Sequence, residues 1–200
     1  MQGADDCHAQ EPHGPSPSAP SGSPVLAGRR SQLVPVAQEH AGELRQIGAL
    51  PAVARYWRTP SPASGWPLSE TGVVRFAVIA DDKVVGLVQY SEEDDPDYRH
   101  AGLDVFLDPA VHGRGLGRDV IATLAAHLFD DHGHHRLVID PAVDNHAAIR
   151  CYSAVGFRPV GVMRRYERDA TGSGWHDGLL MDLLAEDLDR DPAAAGPGCP

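Results

Sequence analysis

The stretch VHGRGLGR at residues 111–118 decides the fold of this chain, and residues 119–131 follow it with the apolar spacing of a helix. Every second residue from Gly113 to Gly117 is a glycine, so the backbone can take positive φ and approach a ligand closely. At a helix N-terminus, unpaired N–H groups and the positive dipole end favour an anion such as a pyrophosphate. One helix end contributes only about 0.3–1 kcal/mol to an exposed charge, so several amides and an arginine of the stretch must act together.

Before this glycine loop, the sequence predicts a strand (residues 31–36), two helices (38–50 and 51–57) and a proline-rich loop (59–70). Two hairpin strands (73–79 and 84–90), an acidic loop (91–97) and a third strand (102–107) follow. After the loop, the sequence predicts a helix (residues 118–131), a strand (136–139), a helix (146–155) and two strands (157–164 and 179–184). This order indicates a mixed α/β (α+β) fold with helices on both faces of the sheet.

Composition divides the chain into a central domain and two tails. Residues 1–30 are mostly Pro, Ser, Gly, Ala and His, so they carry too little apolar surface to offset the entropy of ordering, and we expect a disordered tail. Residues 31–188 carry the periodic patterns of one folded domain, and 200 residues are too few for two. Residues 189–200 predict a flexible C-terminal tail. A monomer and a homodimer are both compatible with this organisation.

The charge and cysteine content restrict the partners and the compartment. Seventeen basic and 28 acidic residues give a formal net charge of −11, which disfavours a nucleic-acid partner and suits a cationic one. Of the three cysteines, two lie in the tails and one in a predicted helix, so we expect no disulfide and a cytoplasmic protein. We also expect no signal peptide, no membrane span and no membrane partner, because no apolar run is long enough.

Two nucleotide-binding motifs compete for the glycine loop. A P-loop requires Lys and then Ser or Thr after its last glycine, whereas Arg118 and Asp119 follow here. A dinucleotide-binding loop is harder to dismiss, since the loop lies between a strand and a helix and Asp140 ends the next strand, as a ribose-binding acid would. Against it, the GxGxxG spacing counted from Gly113 places an arginine where the third glycine is needed, and antiparallel strands precede the motif.

A second motif, DPAVDNHAAIRCYSAVGF at residues 140–157, follows the glycine loop. The two motifs in this order resemble the GCN5-related N-acetyltransferases over roughly residues 33–188. The resemblance implies a mostly antiparallel, partly splayed sheet and a loop that holds the pyrophosphate of acetyl-CoA, with CoA as product. Shorter matches around Asp104, Asp140, Tyr152 and Trp57 are similar to the bacterial aminoglycoside 6′-N-acetyltransferases.

The resemblance also implies a cofactor-binding set, which runs from the strand before the loop into the second motif: Phe106, Leu107, His112, Gly113, Arg114, Gly115, Leu116, Gly117, Arg118, Asn145, Ala148 and Tyr152. His112 departs from the Gln or Arg that is most common in the family. Tyr152 stands where the family has a proton donor for the departing thiolate, although tyrosine on an amphipathic helix is also an ordinary core residue. Asn145 is in addition a good N-cap residue.

Two aspartates are the candidates for the proton transfer that the reaction requires. An alkylamine with a pKa near roughly 10.4 is protonated at pH 7, and it attacks a thioester only after losing that proton. Asp104, on the strand before the loop, and Asp140, at the end of the next strand, could accept the proton or bind the substrate amine. Both also have structural explanations, Asp104 as a solvated strand residue and Asp140 as the start of a turn.

Acceptor binding is assigned to the early helices and the acidic loop. Trp57 could stack on a sugar ring or fill the core, and Asp95 could attract a cationic amine or belong to a solvated loop. The histidines at 132, 134 and 135 suggest a metal site, but no Cys, Asp or Glu constellation completes one, so we expect no metal.

These observations predict an acetyl-CoA-dependent N-acetyltransferase that acts directly on a primary amine of a small polycation, an aminoglycoside first. Three alternatives stay open at this point. One is acylation of a protein, a peptide or another small amine, and one is a non-catalytic CoA-binding regulatory module. The third is a nucleotide-dependent oxidoreductase.

Overall fold

The computed structural model describes residues 23–58, 64–68, 72–169 and 172–190. Within them, one sheet has the strand order β1-β2-β3-β4-β5-β6-β8-β7. The strands are β1 (Leu26–Ala27), β2 (Gln32–Pro35), β3 (Val73–Ala80), β4 (Lys83–Glu93), β5 (His100–Leu107), β6 (Arg136–Ile139), β7 (Arg158–Arg168) and β8 (Trp175–Leu184). The helices are α1 (Ala41–Gly48), α2 (Pro51–Ala54), α3 (Leu116–Asp130) and α4 (His146–Ser153).

β3 and β4 form the hairpin that their β-branched runs predict. Asp81 and Asp82 occupy its two turn positions with φ of 49° and 57°. A two-residue turn of type I′ requires positive φ at both positions, and Asp tolerates it because its short side chain can bond locally. The predicted hairpin and its turn are confirmed.

Different helices cover the two faces of the sheet. Consecutive residues Leu87 and Val88 of β4 belong to different hydrophobic clusters, as strand alternation requires. α3 buries Leu124 in the larger cluster, and α1 buries Leu44 in the smaller one, both with no exposed surface. Burying one such side chain contributes about 1.5–3 kcal/mol, so these apolar stripes fix the helices to the sheet. The predicted mixed α/β fold with helices on both faces is confirmed.

The sheet separates between β5 and β6. These two strands are parallel, whereas the other neighbouring pairs are antiparallel. Their pairing consists of Ala101 with Leu137 and Gly102 with Val138. β5 continues to Leu107 while paired with β4, so a gap opens at the carboxyl ends of β5 and β6. The predicted partial splay is confirmed.

Residues 23–30, which composition assigned to a tail, are described by the structure and contact the folded domain. β1 pairs with β2, and the backbone N–H groups of Arg29 and Arg30 donate to the Asp119 carboxylate at 2.9 and 3.0 Å. Such polar contacts produce no apolar periodicity, so composition alone does not reveal them. Residues 1–22 of the predicted N-terminal tail, residues 191–200 and most of the predicted loop 59–70 lie outside the described residues.

The acidic segment predicted as a loop is partly a strand. β4 continues to Glu93, which is paired with His100 of β5, because pairing with a neighbouring strand outweighs the low strand propensity of acidic residues. β7 and β8 are also longer than predicted. β7 has almost no buried residue, so its sequence carries no alternating apolar pattern. No helix among the described residues has the length and apolar character needed to cross a membrane.

Candidate active site

A cleft of about 560 Å³ opens where β5 and β6 separate. Its lining comes from β4, β5, β6, β7 and the residue after β6: Ser91, Gly102, Leu103, Asp104, Val138, Ile139, Asp140, Tyr166 and Glu167. The structure therefore brings the two predicted catalytic aspartates into one cavity. Glu167 adds a third carboxylate that sequence analysis did not identify.

A chain of hydrogen bonds across three strands orients Asp104. Arg75 Nε on β3 donates to Gln89 Oε1 on β4 at 2.8 Å, and Gln89 Nε2 donates to Asp104 Oδ2 at 3.1 Å. The sheet register explains this alignment, because Arg75 lies opposite Gln89, which lies opposite Asp104. Arg75 is buried and also donates to the Pro67 carbonyl at 3.3 Å. The Asp104 carboxylate is thus held through one of its oxygens.

The surroundings of Asp104 make it a stronger base than an ordinary aspartate. Enclosure by protein atoms in the cleft raises its pKa, and the charges of Asp140 and Glu167 raise it further. The hydrogen bond from Gln89 and the charge of Arg75 lower it, but the net pKa lies above the ordinary value. The residue is nevertheless exposed to solvent in the cleft, so a proton can reach it.

Asp140 follows β6 and interacts with Tyr166 of β7. The Tyr166 hydroxyl donates to the Asp140 carboxylate, and this hydrogen bond is the largest cause of a rise in the pKa of Tyr166 to about 12. Partial burial and the nearby carboxylates add to the rise. At pH 7 the phenol of Tyr166 is therefore a hydrogen-bond donor that orients Asp140.

A bulge in β7 directs two consecutive side chains into the cleft. Tyr166 and Glu167 both line it, although neighbours in a regular strand point to opposite faces. The register between β7 and β8 shifts between Met163 and Glu167, and Arg165 within the shift has φ of 51°. The Arg165 backbone N–H donates to Asp177 Oδ1 of β8 at 2.7 Å, which holds the bulge.

Tyr152, the predicted proton donor, lies in the larger hydrophobic cluster and is 7% exposed. Its ring centroid is 6.2 Å from that of Phe157. Burial raises the pKa of Tyr152, and Cys151, Asp104 and Asp140 raise it further, so the hydroxyl keeps its proton at neutral pH. The aspartates of the cleft are thus close enough to act on Tyr152, although it does not belong to the described residues that line the cleft.

The glycine loop has the conformation of an anion cradle. Gly113 and Gly115 have φ of 74° and 73°, where a residue with a Cβ would be strained. Gly115 is the N-cap residue of α3, and as a glycine it has no side chain that could cap the helix. The first N–H groups of α3, from Leu116 and Gly117 onward, have no intrahelical acceptor and can bind a phosphate. These residues therefore fit the pyrophosphate of acetyl-CoA.

Arg30, which composition assigned to the tail, contacts the glycine loop. Its Nη1 donates to the Arg114 carbonyl at 2.6 Å. The Asp119 carboxylate, in the first turn of α3, holds the segment by accepting from the Ser31 hydroxyl at 2.8 Å as well as from two backbone N–H groups. Arg30 and Arg114 both line a second cavity of about 290 Å³. The structure thus adds a positive charge to the loop that no motif predicted.

Three other predicted cofactor residues make identifiable contacts within the fold. Asn145 Oδ1 accepts from the Ala148 N–H at 3.2 Å, which confirms Asn145 as the N-cap of α4. Arg118 forms an ion pair with Asp189 at 2.6 Å, so its charge is already partnered. His112 lies beyond β5, and its Nε2 is 3.3 Å from the carbonyl of the last residue of that strand.

The predicted substrate residues Trp57 and Asp95 lie apart from the cleft lining. The Trp57 ring packs edge-on against Phe106, with centroids 4.8 Å apart, and its buried Nε1 has no hydrogen-bond partner among the described residues. Asp95 is exposed in the turn after β4, where its carboxylate accepts from the Asp97 N–H at 2.9 Å. Trp57 thus makes the contacts of a core residue, and Asp95 those of a solvated loop residue, which were the structural alternatives for the two.

Several cleft residues escaped sequence analysis because the sheet brings them together. Gln89 reaches Asp104 through strand register, and Tyr166 and Glu167 reach the cleft through a bulge. The only signal in the sequence was the polar character of Gln89 within an otherwise apolar strand. Taken together, a mixed sheet that separates at an acidic cleft beside a glycine-loop helix is the arrangement that the resemblance to the N-acetyltransferases implies.

Comparison with known proteins identifies the family. Residues 43–157, more than half of the chain, match the acetyltransferase (GNAT) family. The chain belongs to this family, which confirms the resemblance of its two motifs and places it by class among the acyltransferases.

Relatives within the family act on different amines, as their names indicate. The chain is 37% identical over 75 residues to aminoglycoside N(6′)-acetyltransferase type 1 from Klebsiella pneumoniae, which covers 37% of this chain and 36% of that protein. It is 36% identical over 73 residues to N-alpha-acetyltransferase RimI from Mycobacterium tuberculosis, covering 36% of this chain and 44% of that protein. The matched stretches thus span less than half of the length of these relatives.

Solved structures show the same fold at low identity. RimJ from Mycobacterium smegmatis, in complex with CoA-disulfide, superposes with a TM-score of 0.74 at 19% identity. The superposition covers 85% of this chain and 91% of RimJ. It confirms the fold over 85% of the chain.

Proposed function

We propose that this chain transfers the acetyl group of acetyl-CoA directly to a primary amine of a small polycation, with the 6′-amine of an aminoglycoside as the leading acceptor. The observation that carries this proposal is the cleft in which Asp104, Asp140 and Glu167 stand together at the separation of β5 and β6. Like charges in one cavity repel each other, and an acceptor with several ammonium groups relieves that repulsion.

The carboxylates of the cleft have separate tasks in this proposal. When bound, acetyl-CoA supplies an activated thioester carbonyl and a thiolate leaving group. Asp104 accepts the ammonium proton of the acceptor, directly or through a water, because its raised pKa makes it the better proton acceptor. Asp140, oriented by Tyr166, and Glu167 hold further ammonium groups of the acceptor, so that one amine is directed to Asp104.

Tyr152 is the proposed proton donor to the leaving thiolate. Its buried hydroxyl keeps its proton at neutral pH, as a donor must. α4 positions the side chain, and the bond from the Ala148 N–H to Asn145 at the start of the helix fixes the first turn.

The glycine loop and Arg30 form the proposed site for the pyrophosphate. Free N–H groups at the start of α3 supply directional hydrogen bonds, and the guanidinium beside Arg114 supplies charge. Positive charge is needed here because the chain as a whole carries −11 and repels a phosphate at long range.

The second candidate acceptor is the N-terminal amine of a protein or peptide. The observation that favours it is the likeness to RimI, which is as strong as the likeness to the aminoglycoside enzyme over a stretch of the same size. The three clustered carboxylates favour the small polycation, since an N-terminal amine brings only one positive charge to the cleft.

A thiol-release assay with acetyl-CoA and four acceptors tests the function. The acceptors are an aminoglycoside with a 6′-amine, a counterpart with a 6′-hydroxyl, spermidine and a peptide with a free N-terminus. We expect the 6′-amino compound to have the highest kcat/KM, the 6′-hydroxyl compound to be inactive, and mass spectrometry to place the acetyl group on the 6′-nitrogen. A preference for the peptide would support the second candidate. CoA binding without turnover on any acceptor would instead indicate a non-catalytic CoA-binding module.

A further inference from the structure

Glu92, His132 and His134 form a cluster of metal-binding side chains outside the acidic cleft. Glu92 Oε1 lies 3.1 Å from His132 Nδ1 and 2.7 Å from His134 Nε2. All three ligand atoms lie within 4.8 Å of one another. The sequence-based expectation of no metal rested on the lack of an acidic residue to complete a site, and the end of β4 supplies that residue from 40 positions away.

The cluster lies on the other face of the sheet from the cleft. Ser91 of β4 lines the cleft, and its neighbour Glu92 points to the opposite side, as residues of a regular strand alternate. Both histidines come from the connection between α3 and β6. Their rings are nearly parallel, with an angle of 13° and centroids 6.3 Å apart, so both edges can face the same carboxylate.

The connection that carries the histidines is fixed by bonds that leave their ring nitrogens out. Arg99 Nη2 donates to the His132 carbonyl at 2.7 Å, and Arg99 Nη1 donates to the Gly133 carbonyl at 2.9 Å. The His134 backbone N–H donates to the Leu128 carbonyl at 3.1 Å. The ligand atoms are thus positioned by backbone anchors, which lowers the entropy lost when a ligand binds.

His134 is the most enclosed side chain of the cluster. Its side chain is 1% exposed, and its Nδ1 has no hydrogen-bond partner among the described residues. His132 and Glu92 are about one-third exposed, which gives an ion access and leaves room for water as a fourth ligand.

We propose that Glu92, His132 and His134 bind one divalent transition-metal ion, with Zn²⁺ as the best fit, and that the ion links the end of β4 to the connection between α3 and β6. Two imidazoles and a carboxylate match the nitrogen and oxygen ligands that Zn²⁺ takes at about 2.0–2.2 Å. Tetrahedral ligands at that distance lie roughly 3.4 Å apart, so shifts of about 1 Å complete the geometry. The hard ions Mg²⁺ and Ca²⁺ prefer oxygen ligands and fit poorly.

Equilibrium dialysis against Zn²⁺, with metal content measured by atomic emission, tests this proposal on the full chain without an affinity tag. We expect one tightly held ion per chain, a rise in the melting temperature with Zn²⁺, and little response to Mg²⁺ or Ca²⁺. Glu92→Gln removes the carboxylate charge with little change in shape, and we expect it to weaken Zn²⁺ binding by at least about 10-fold. His132→Ala should have the same effect and avoids disturbing a buried side chain.

His135→Ala is the matched control, because His135 is the exposed next neighbour of His134 and lies outside the cluster. It should bind Zn²⁺ as the wild type does. The cysteines and tail histidines are present in every variant, so any binding by them is common to all. Absence of Zn²⁺ binding to the wild type, or equal binding by the wild type, Glu92→Gln and His132→Ala, would overturn the proposal.

Discussion

At the residue scale, Asp104 is the position where function and stability oppose each other. Its pKa is raised in the folded protein, which means that the folded state holds the proton more tightly than the unfolded chain does. Ionisation at neutral pH therefore lowers the stability of the fold, and the lost stability returns as the pH falls through the pKa of the folded state. The same raised pKa makes Asp104 a better proton acceptor, as its proposed role requires.

The variant Asp104→Asn should separate these two effects. We expect kcat/KM to fall by about 10²–10⁴-fold, because the proton acceptor is lost while the shape is kept. The free energy of unfolding, measured with urea at pH 7, should be higher than in the wild type. That gain should shrink as the pH falls through the pKa of the Asp104 carboxyl in the folded state, which lies above the ordinary aspartate value. Near-normal activity between about pH 6 and 9 would show that Asp104 is not the base.

Tyr152 is a residue whose position agrees with two roles, in the core and in the reaction. The variant Tyr152→Phe keeps the ring in the hydrophobic cluster and removes only the hydroxyl. If the hydroxyl protonates the leaving thiolate, kcat should fall by about 10²-fold, while the affinity for CoA measured by calorimetry should change little. An unchanged kcat would leave Tyr152 with a packing role only.

At the element scale, the bulge in β7 shapes the side of the cleft that is proposed to bind the acceptor. Asp177→Ala removes the acceptor of the Arg165 N–H and should loosen the bulge that directs Tyr166 and Glu167 inward. We expect a several-fold higher KM for the acceptor and an unchanged affinity for CoA. Arg165→Gly is the control, since glycine relieves about 1 kcal/mol of strain at positive φ and keeps the backbone bond. A similar KM for wild type and Asp177→Ala would mean that the bulge holds without this bond.

Local sequence patterns predicted the features that depend on the backbone or on side chains close in the sequence. The glycine loop, the Asn145 cap and the hairpin turn at Asp81 and Asp82 could be read from the sequence because their physics is local. Glu167 could not, because β7 is exposed on both faces and a register shift decides where its side chains point. Glu92 was missed for a related reason, because it lies about 40 residues before the histidines in the sequence and only the fold brings them together.

At the scale of the whole molecule, charge is distributed unevenly around the cleft and the loop. The chain carries a net charge of −11, and three carboxylates stand in the acceptor cleft. Two positive groups, Arg30 and Arg114, lie instead at the glycine loop, which is proposed to bind the pyrophosphate. The proposed function therefore predicts that a polycation is drawn toward the cleft by charge and that the anionic cofactor is recognised mainly by short-range contacts at the loop.

Ionic strength should distinguish these two kinds of binding. The screening length falls from about 10 Å at 0.1 M salt to about 3 Å at 1 M. We expect the KM for a polyamine acceptor to rise roughly 10-fold over this range, whereas the KM for a monoamine acceptor should rise much less. Steady-state kinetics with both acceptors under one buffer provide the comparison. Equal salt effects on the two would show that the clustered carboxylates do not select by charge.

The anchoring of Arg30 to α3 has a consequence for anyone who shortens this chain. Because composition predicts a disordered tail for residues 1–30, a protein that starts at residue 31 would be an obvious choice for crystallisation. Such a cut removes the backbone N–H groups of Arg29 and Arg30 from the Asp119 carboxylate, together with the guanidinium at the loop. Of the three residues that donate to Asp119, only Ser31 would remain, and the site proposed for the pyrophosphate would lose the positive charge of Arg30. A chain shortened at residue 31 should therefore bind CoA more weakly than one that keeps Arg29 and Arg30.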